Sequence, residues 1–320
     1  MITIRVADVG GSGKVTKADV LLAPNGTWSV DSLEVSDPIN TANELVSFAI
    51  DNMPDETQGV AYSIAGVNYR NDLIVVSPNA HYLEGYKIAS MTRQPSDTVT
   101  RKYLSSVYND MQTTAAGVHV MREKAGIPPG APFFVITIGT GIGGKYAFTV
   151  DKKLVILDSE IGHMVIDLSP FAPRCGDLAT GHVEGMVSGP AIDGMVTRYL
   201  SLAGRPIPGK NPGAYLGEHF TVGAEWAKDL YDQIAIALAA LINNLRCVYD
   251  FQHFVYKGSA GTDMFNRGID KLVRRKLRKM LVNKKWADKS NLKFIETPGP
   301  NNVDALVGAA YLLAADCNLL

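Results

Sequence analysis

Val107-Tyr108-Asn109-Asp110-Met111-Gln112-Thr113-Thr114-Ala115-Ala116-Gly117 is a short apolar run that ends in an Asn-Asp pair and continues into small residues. The pattern predicts a strand that stops at the pair and a helix that opens behind it. A carboxylate at the end of a strand is where a general base is wanted. Asp110 can take a proton from an incoming hydroxyl if it comes within about 3 Å of it, and the amide of Asn109 can fix that hydroxyl's orientation. Both residue types also favour a helix N-cap, so the pair alone leaves two readings open.

The flanking stretches carry more. Upstream, Ile2, Ile4 and Val6 alternate with Thr3 and Arg5 before Ala7-Asp8-Val9-Gly10-Gly11-Ser12-Gly13-Lys14. A strand running into glycines can cradle phosphate, because residues without Cβ let backbone N–H groups approach anionic oxygens. A P-loop does not fit, since the position six before Lys14 is Asp8 and Val15 follows it. A dinucleotide fingerprint does not fit either: its third glycine position is Thr16, and Ala18 to Ala23 reads as a second strand rather than a helix. Trp28 to Val35 reads as a third strand and Thr41 to Met53 as a helix. Downstream, Phe133 to Ile138 is a buried-strand pattern that feeds a second glycine turn, Gly139-Thr140-Gly141-Ile142-Gly143-Gly144, with another strand through Tyr146 to Val150.

At 320 residues the chain is long for one core, so two domains are expected. With 46% hydrophobic and 20% charged residues and a formal net charge of -1, composition gives no global attraction to nucleic acid or membrane. Cys175, Cys247 and Cys317 are scattered and odd in number, which suggests no disulfide framework and fits a reducing, cytoplasmic setting. The first residues alternate like a strand and lack the layout of a signal peptide, and no apolar run approaches the roughly 18 residues of a spanning helix.

A strand–glycine–strand hairpin with an Asp ahead of the glycines resembles the first phosphate loop of the actin/hexokinase-like (ribonuclease H-like) superfamily. Ser63-Ile64-Ala65-Gly66, followed by an apolar strand ending Ser77-Pro78-Asn79, resembles more narrowly the substrate-side wall of the ROK family of sugar kinases and repressors. Asn109-Asp110 falls where that family carries its Asn-Asp. Asp158-Ser159-Glu160-Ile161-Gly162-His163 reproduces its Glu-Ile-Gly-His segment, and Gly181-His182-Val183-Glu184 matches the segment with a third acidic residue. Val303 to Ala310 resembles its closing helix, so the likeness covers nearly the whole chain.

The resemblance implies a two-domain α/β fold with an interdomain cleft. A small N-terminal domain would span 1–108, completed by a C-terminal helix at 303–320, and a large domain 109–302. It implies transfer of the γ-phosphoryl of ATP, with Mg²⁺, to a hexose, most closely as in glucokinases. Asp110 would be the base, and Gly66, Asn79, Asn109, Glu160, His163 and Glu184 would meet the sugar. Asp8 would help hold Mg²⁺. Gly10, Gly11, Ser12 and Gly13 would face one triphosphate together with Gly139, Thr140, Gly141 and Gly143, and Gly258 and Gly261 would approach the adenosine. A homodimer is usual for the family. Its transcription factors carry a helix-turn-helix ahead of this body, whereas this chain begins in the phosphate-loop strand; a non-catalytic sugar-binding scaffold is the third reading.

Three departures stand out. The family's structural zinc takes the His matching His163 and three cysteines; here the first is Pro173, the second is Cys175 and the third is His182, so only three N or S donors are on offer and no zinc of the usual kind is expected. Ser12-Gly13 replaces the usual Thr-Lys, and Lys145 stands where a third glycine is common. In the C-terminal half, Val222 to Tyr249 reads as one long helix, and the basic run from Lys271 to Lys289 reads as a solvated helix face rather than a nucleic-acid site.

Overall fold

A computed structural model describes residues 1–10, 13–23, 26–93, 103–280, 284–299 and 302–320; Gly11 and Ser12 of the first glycine turn lie outside the described residues. The chain divides into two units, the first made of Met1–Pro128 and Pro298–Leu320, the second of Pro129–Thr297.

In the first unit, β1 (Ile2–Val9), β2 (Val15–Leu22), β3 (Trp28–Val35), β4 (Thr57–Ile64) and β7 (Leu104–Asn109) form one sheet in the order β3-β2-β1-β4-β7, while β5 (Val67–Tyr69) and β6 (Leu73–Val76) pair only with each other. The first three strands of that sheet are antiparallel, and β4 and β7 run parallel to β1. The unit's helices are α1 (Ala42–Ile50), α2 (Ile88–Arg93), α3 (Asp110–Val120) and the last helix, α10 (Val303–Asp316).

Both faces of β1 are covered. Ala7 and Val9 pack with Leu45 and Ala49 of α1, and Ile4 and Val6 pack with Leu306, Ala309 and Ala310 of α10. That coverage buries Arg5, whose guanidinium pairs with Asp19 (Nε–Oδ1 2.6 Å, Nη2–Oδ2 3.0 Å) and donates to the carbonyls of Ala49 and Asp51. The charge is thus neutralised, and the carbonyls that α1 leaves without intrahelical partners at its C-terminal end are satisfied.

The packing of α3 on α10 sets the unit boundary. A Cβ on Gly117 would lie 1.7 Å from the carbonyl oxygen of Asp304, and one on Gly308 would lie 1.8 Å from that of Thr113, so the two backbones are in contact at both glycines. The sequence leads one to expect residues 109–120 in the large domain; in the structure α3 belongs to the first unit, which runs on to Pro128.

The second unit repeats the strand order. β8 (Phe133–Ile138), β9 (Ile142–Val150), β10 (Lys153–Leu157), β11 (His253–Lys257) and β12 (Lys293–Glu296) are arranged β10-β9-β8-β11-β12, again three antiparallel strands followed by two parallel to the first. Its helices are α4 (Glu184–Val187), α5 (Gly189–Leu202), α6 (Pro212–Thr221), α7 (Glu225–Val248), α8 (Ser259–Asn266) and α9 (Ile269–Met280). One core holds them, centred on Phe134, Ile136, Leu238, Leu241 and Phe254. On α9, Arg275 and Lys276 pair with Asp232 of α7. Among the described residues no helix is long and apolar enough to cross a membrane.

Candidate active site

Parallel strands in an α/β sheet gather loops at their carboxyl ends, where ligands bind. In the first unit the register aligns Val9 with Ile64 and Ile64 with Asn109, so Asp8, Gly66, Asn109 and Asp110 collect at one edge of the sheet. With neighbouring strands about 4.8 Å apart, Asp8 and Asn109 are separated by roughly 10 Å across β4.

Asn109 caps α3. Its Oδ1 accepts from the backbone N–H of Met111 at 2.9 Å and of Gln112 at 3.3 Å, and the Gln112 side chain accepts in return from the backbone N–H of Asn109. The capping reading therefore holds for Asn109, whose Nδ2 also donates to the carbonyl of Gly66 at 3.0 Å. Gly66 has φ +122°, and a Cβ there would meet the Val76 carbonyl oxygen at 2.0 Å. The Ser77 hydroxyl donates to the Ala65 carbonyl, and Asn79, two residues on, is exposed.

Half-buried Asp110 is the first residue of α3, where the positive end of the helix favours a carboxylate. Its Oδ1 accepts from Met111 N–H at 2.9 Å, and its carbonyl accepts from Thr113 Oγ1, which in turn bonds Ser63 of β4. Buried Asp8 accepts from Asn302 Nδ2 at 3.4 Å. A carboxylate oxygen next to a glycine turn is the hard donor that Mg²⁺ requires, so Asp8 fits that ion. The turn is closed by Gly10 N–H to the Lys14 carbonyl and Gly13 N–H to the Gly10 carbonyl, with Gly13 at φ +76°.

In the second unit the Gly139–Gly144 turn joins β8 to β9 as a tight hairpin, with Gly139 N–H donating to the Gly141 carbonyl at 3.0 Å and Thr140 exposed at its tip beside half-buried Gly143. Two other segments brace it. Gly189 N–H donates to the Gly139 carbonyl at 2.7 Å, and Glu184 Oε2 accepts from Ile142 N–H at 3.0 Å. A Cβ on Gly141 would stand 2.7 Å from that Glu184 oxygen, so the glycine makes room for the brace. Ser188 caps α5, its side chain accepting from Ala191 N–H, with Pro190 in the first turn where a proline fits.

Gly258, at φ +86°, lies over the end of β8, where a Cβ would be 2.3 Å from the Ile138 carbonyl oxygen; Gly261 packs on the Ile138 side chain. Beyond them a cavity of about 270 Å³ is lined by Gly189, Asp193, Asn211, Tyr231, Ser259 and Asp263, near the lower end of small-molecule sites. Burial, with help from the Asp263 carboxylate, pushes the Tyr231 hydroxyl well above its usual pKa, so it stays a neutral donor. Asp193, Asn211 and this cavity carry no sequence signal, since they become neighbours only when α5, α6 and α8 pack.

Glu160 and His163 flank a short turn (Ile161–His163) and are exposed. Buried Lys145 explains its departure from the family pattern: its Nζ reaches Asp158 Oδ1 at 3.2 Å and the Ser159 carbonyl at 3.5 Å, tethering the segment that leads to Glu160. His163 meets His182 and Asp177 rather than standing alone. Asp177 carries no signal in a cysteine-and-histidine pattern, although a carboxylate is also a zinc donor.

The ROK family profile matches residues 15–316. The chain belongs to the ROK family. It is similar to a glucokinase of Aeropyrum pernix, 30% identical over 215 residues that make up 62% of this chain and 63% of that protein. It is also similar to an N-acetylmannosamine kinase of Escherichia coli O6:H1, 27% identical over 267 residues, 82% of this chain and 84% of that one. Among solved structures, a ROK family glucokinase from Streptomyces griseus in complex with glucose and AMPPNP superposes with a TM-score of 0.69 at 21% identity, covering 97% of this chain and 98% of that one. The fold of this ROK protein is accordingly the two-domain actin/hexokinase-like architecture, with each unit contributing one copy of the five-stranded sheet.

Proposed function

We propose that this ROK protein is an ATP-dependent sugar kinase that transfers a γ-phosphoryl group to a hexose hydroxyl. The observation that carries the reading is the gathering of Asp8, Gly66, Asn109 and Asp110 at the carboxyl edge of one parallel β1-β4-β7 set, in a chain whose family includes sugar kinases.

Asp110 acts as general base, removing the hydroxyl proton late, because phosphoryl transfer passes through a loose transition state and gains most from positioning and charge neutralisation. Asn109 fixes the carboxylate beside it through the cap and one Nδ2 N–H to Gly66, and its second Nδ2 N–H can meet a sugar hydroxyl. Glu160, His163 and Asn79 are exposed polar groups suited to vicinal sugar hydroxyls, while Glu184 holds the Gly139–Gly144 turn in shape for phosphate. Mg²⁺, held through Asp8, supplies charge neutralisation on the phosphates when bound. The cavity beyond Gly258 takes the nucleoside, with Asp193, Asn211 and Asp263 as polar partners.

Glucose is the acceptor we propose first, supported by the relative at 30% identity. N-acetylmannosamine is the second, supported by relatives matched over a larger share of their length. Initial rates with a panel of hexoses and amino sugars, each with ATP and with polyphosphate, test this. Absence of sugar-dependent ADP or shortened polyphosphate across the panel removes the kinase reading and leaves a sugar-binding scaffold or regulator.

A further inference from the structure

Ser77 follows β6 and is fully buried, so its N–H needs a partner once the strand has ended. That partner is half-buried Glu84, seven residues on, whose Oε1 accepts from Ser77 N–H at 2.9 Å. The chain between them brings the carboxylate back. Ala80 N–H donates to the Ser77 carbonyl at 3.2 Å, which makes Pro78 and Asn79 the corner of a tight turn, and both residue types suit those corner positions. A short turn follows (His81–Leu83), and Gly85, at φ +82°, donates its N–H to the Ile74 carbonyl at 2.8 Å. Leu83 anchors the segment in the core it shares with Val9 and Leu45.

Ser77 passes the restraint on. Its hydroxyl donates to the Ala65 carbonyl at 2.9 Å, and its backbone lies against Gly66, where a Cβ would stand 2.0 Å from the Val76 carbonyl oxygen and 2.9 Å from Ser77 Cα. The Gly66 carbonyl takes Asn109 Nδ2 at 3.0 Å, and Asn109 caps the helix that Asp110 begins. A run of hydrogen bonds and backbone contacts within the first unit therefore joins Glu84 to the residue pair at the end of β7. Glu84 also meets exposed His81, whose Nδ1 lies 2.9 Å from the same Oε1. The Ser77 N–H, and after it the His81 ring, hold the Glu84 carboxyl below its usual range, so it is ionised and only accepts; Nδ1 of His81 is then a protonated donor.

We propose that Glu84 is a positioning residue for the acceptor site: its carboxylate clasps Ser77 and His81 and thereby fixes the Pro78-Asn79 turn and the Gly66 backbone beside the helix that Asp110 begins. The acceptor role rests on the sugar-kinase reading above, whereas the clasp rests on the bonds that Glu84 makes. Without the carboxylate, the buried Ser77 N–H loses its acceptor and the turn can move away from Gly66. A wall that meets the sugar equally before and during transfer contributes uniform binding, so loosening it raises KM and leaves kcat in place.

Glu84→Ala and Glu84→Gln in the full-length protein test it with two readouts. Amide hydrogen exchange without any ligand should be at least about tenfold faster at Ser77 in Glu84→Ala, and close to wild type in Glu84→Gln, whose amide oxygen still accepts. Initial rates are measured with glucose and with N-acetylmannosamine. For the sugar that the wild type uses, KM should rise about tenfold in Glu84→Ala with kcat within about twofold, and return most of the way in Glu84→Gln. Glu84→Asp, one methylene short of Ser77, should behave like Glu84→Ala and replaces it if thermal melts show the alanine variant unfolded. Unchanged exchange at Ser77, an unchanged KM, a fall in kcat at constant KM, or a Glu84→Gln protein as impaired as Glu84→Ala overturns the proposal. If the wild type turns over neither sugar while Ser77 exchange responds as expected, the clasp stands and the kinase reading with these acceptors fails.

Discussion

The Asn109 side chain joins two strands' ends and one helix: its Nδ2 donates to the Gly66 carbonyl at 3.0 Å while its Oδ1 caps α3. Asn109→Ala should therefore cost about 1–3 kcal/mol in urea unfolding, from the lost cap and a carbonyl left without its partner. Asn109→Asp keeps the cap and sets an acceptor against the Gly66 carbonyl. If it is as stable as wild type, the Gly66 bond contributes nothing.

Asp110→Asn retains an oxygen for the Met111 N–H, so folding should be little changed. Turnover is expected to drop roughly 10²–10⁴-fold, with sugar KM nearly constant. Single-turnover and steady-state rates check this, and wild-type turnover in the variant would take Asp110 out of the chemistry.

Contact between α3 and α10 makes Gly117 and Gly308 intolerant of any side chain. Gly308→Ala must move the Thr113 carbonyl from a 1.8 Å approach, a strain expected to destabilise by about 1–3 kcal/mol or more. Among the described residues a Cβ on Gly194, on α5, meets nothing within 4 Å, and Gly194→Ala should stabilise by up to about 1 kcal/mol through helix propensity. Thermal melts of the two variants should move in opposite directions.

Acid should weaken the fold through His119 on α3. Burial, with Arg122 beside it, lowers its pKa from 6.5 to about 4. The unfolded chain then binds a proton that the folded chain refuses, so stability is intact above pH 6.5 and falls as pH drops toward about 4. In His119→Gln, a neutral side chain beside Arg122 and Tyr311, the stability–pH slope in that window should flatten; an identical slope would show that other groups carry it.

The two glycine hairpins were legible because alternation and glycine runs are local signals, and Ser188 announced its helix for the same reason. What escaped depended on partners distant in the chain. The alternation of Ile4 and Val6 with Arg5 marks a strand, but only α1 and α10 together reveal that both faces are covered and that Arg5 needs Asp19. Glu184 matches a sugar-side position, and what the sequence does not show is that its Oε2 also braces the turn through Ile142 N–H. The boundary at 108 moved to 128 because α3 finds its partner in the last helix.

That last partnership has a consequence for synthesis. Residues 129–297 form a self-contained body and can fold as they leave the ribosome, whereas the sheet made earlier has one face bare until α10 emerges. For most of translation the nascent chain thus carries an exposed apolar strand surface, and chaperone demand should be set by the wait for the closing helix rather than by the larger core.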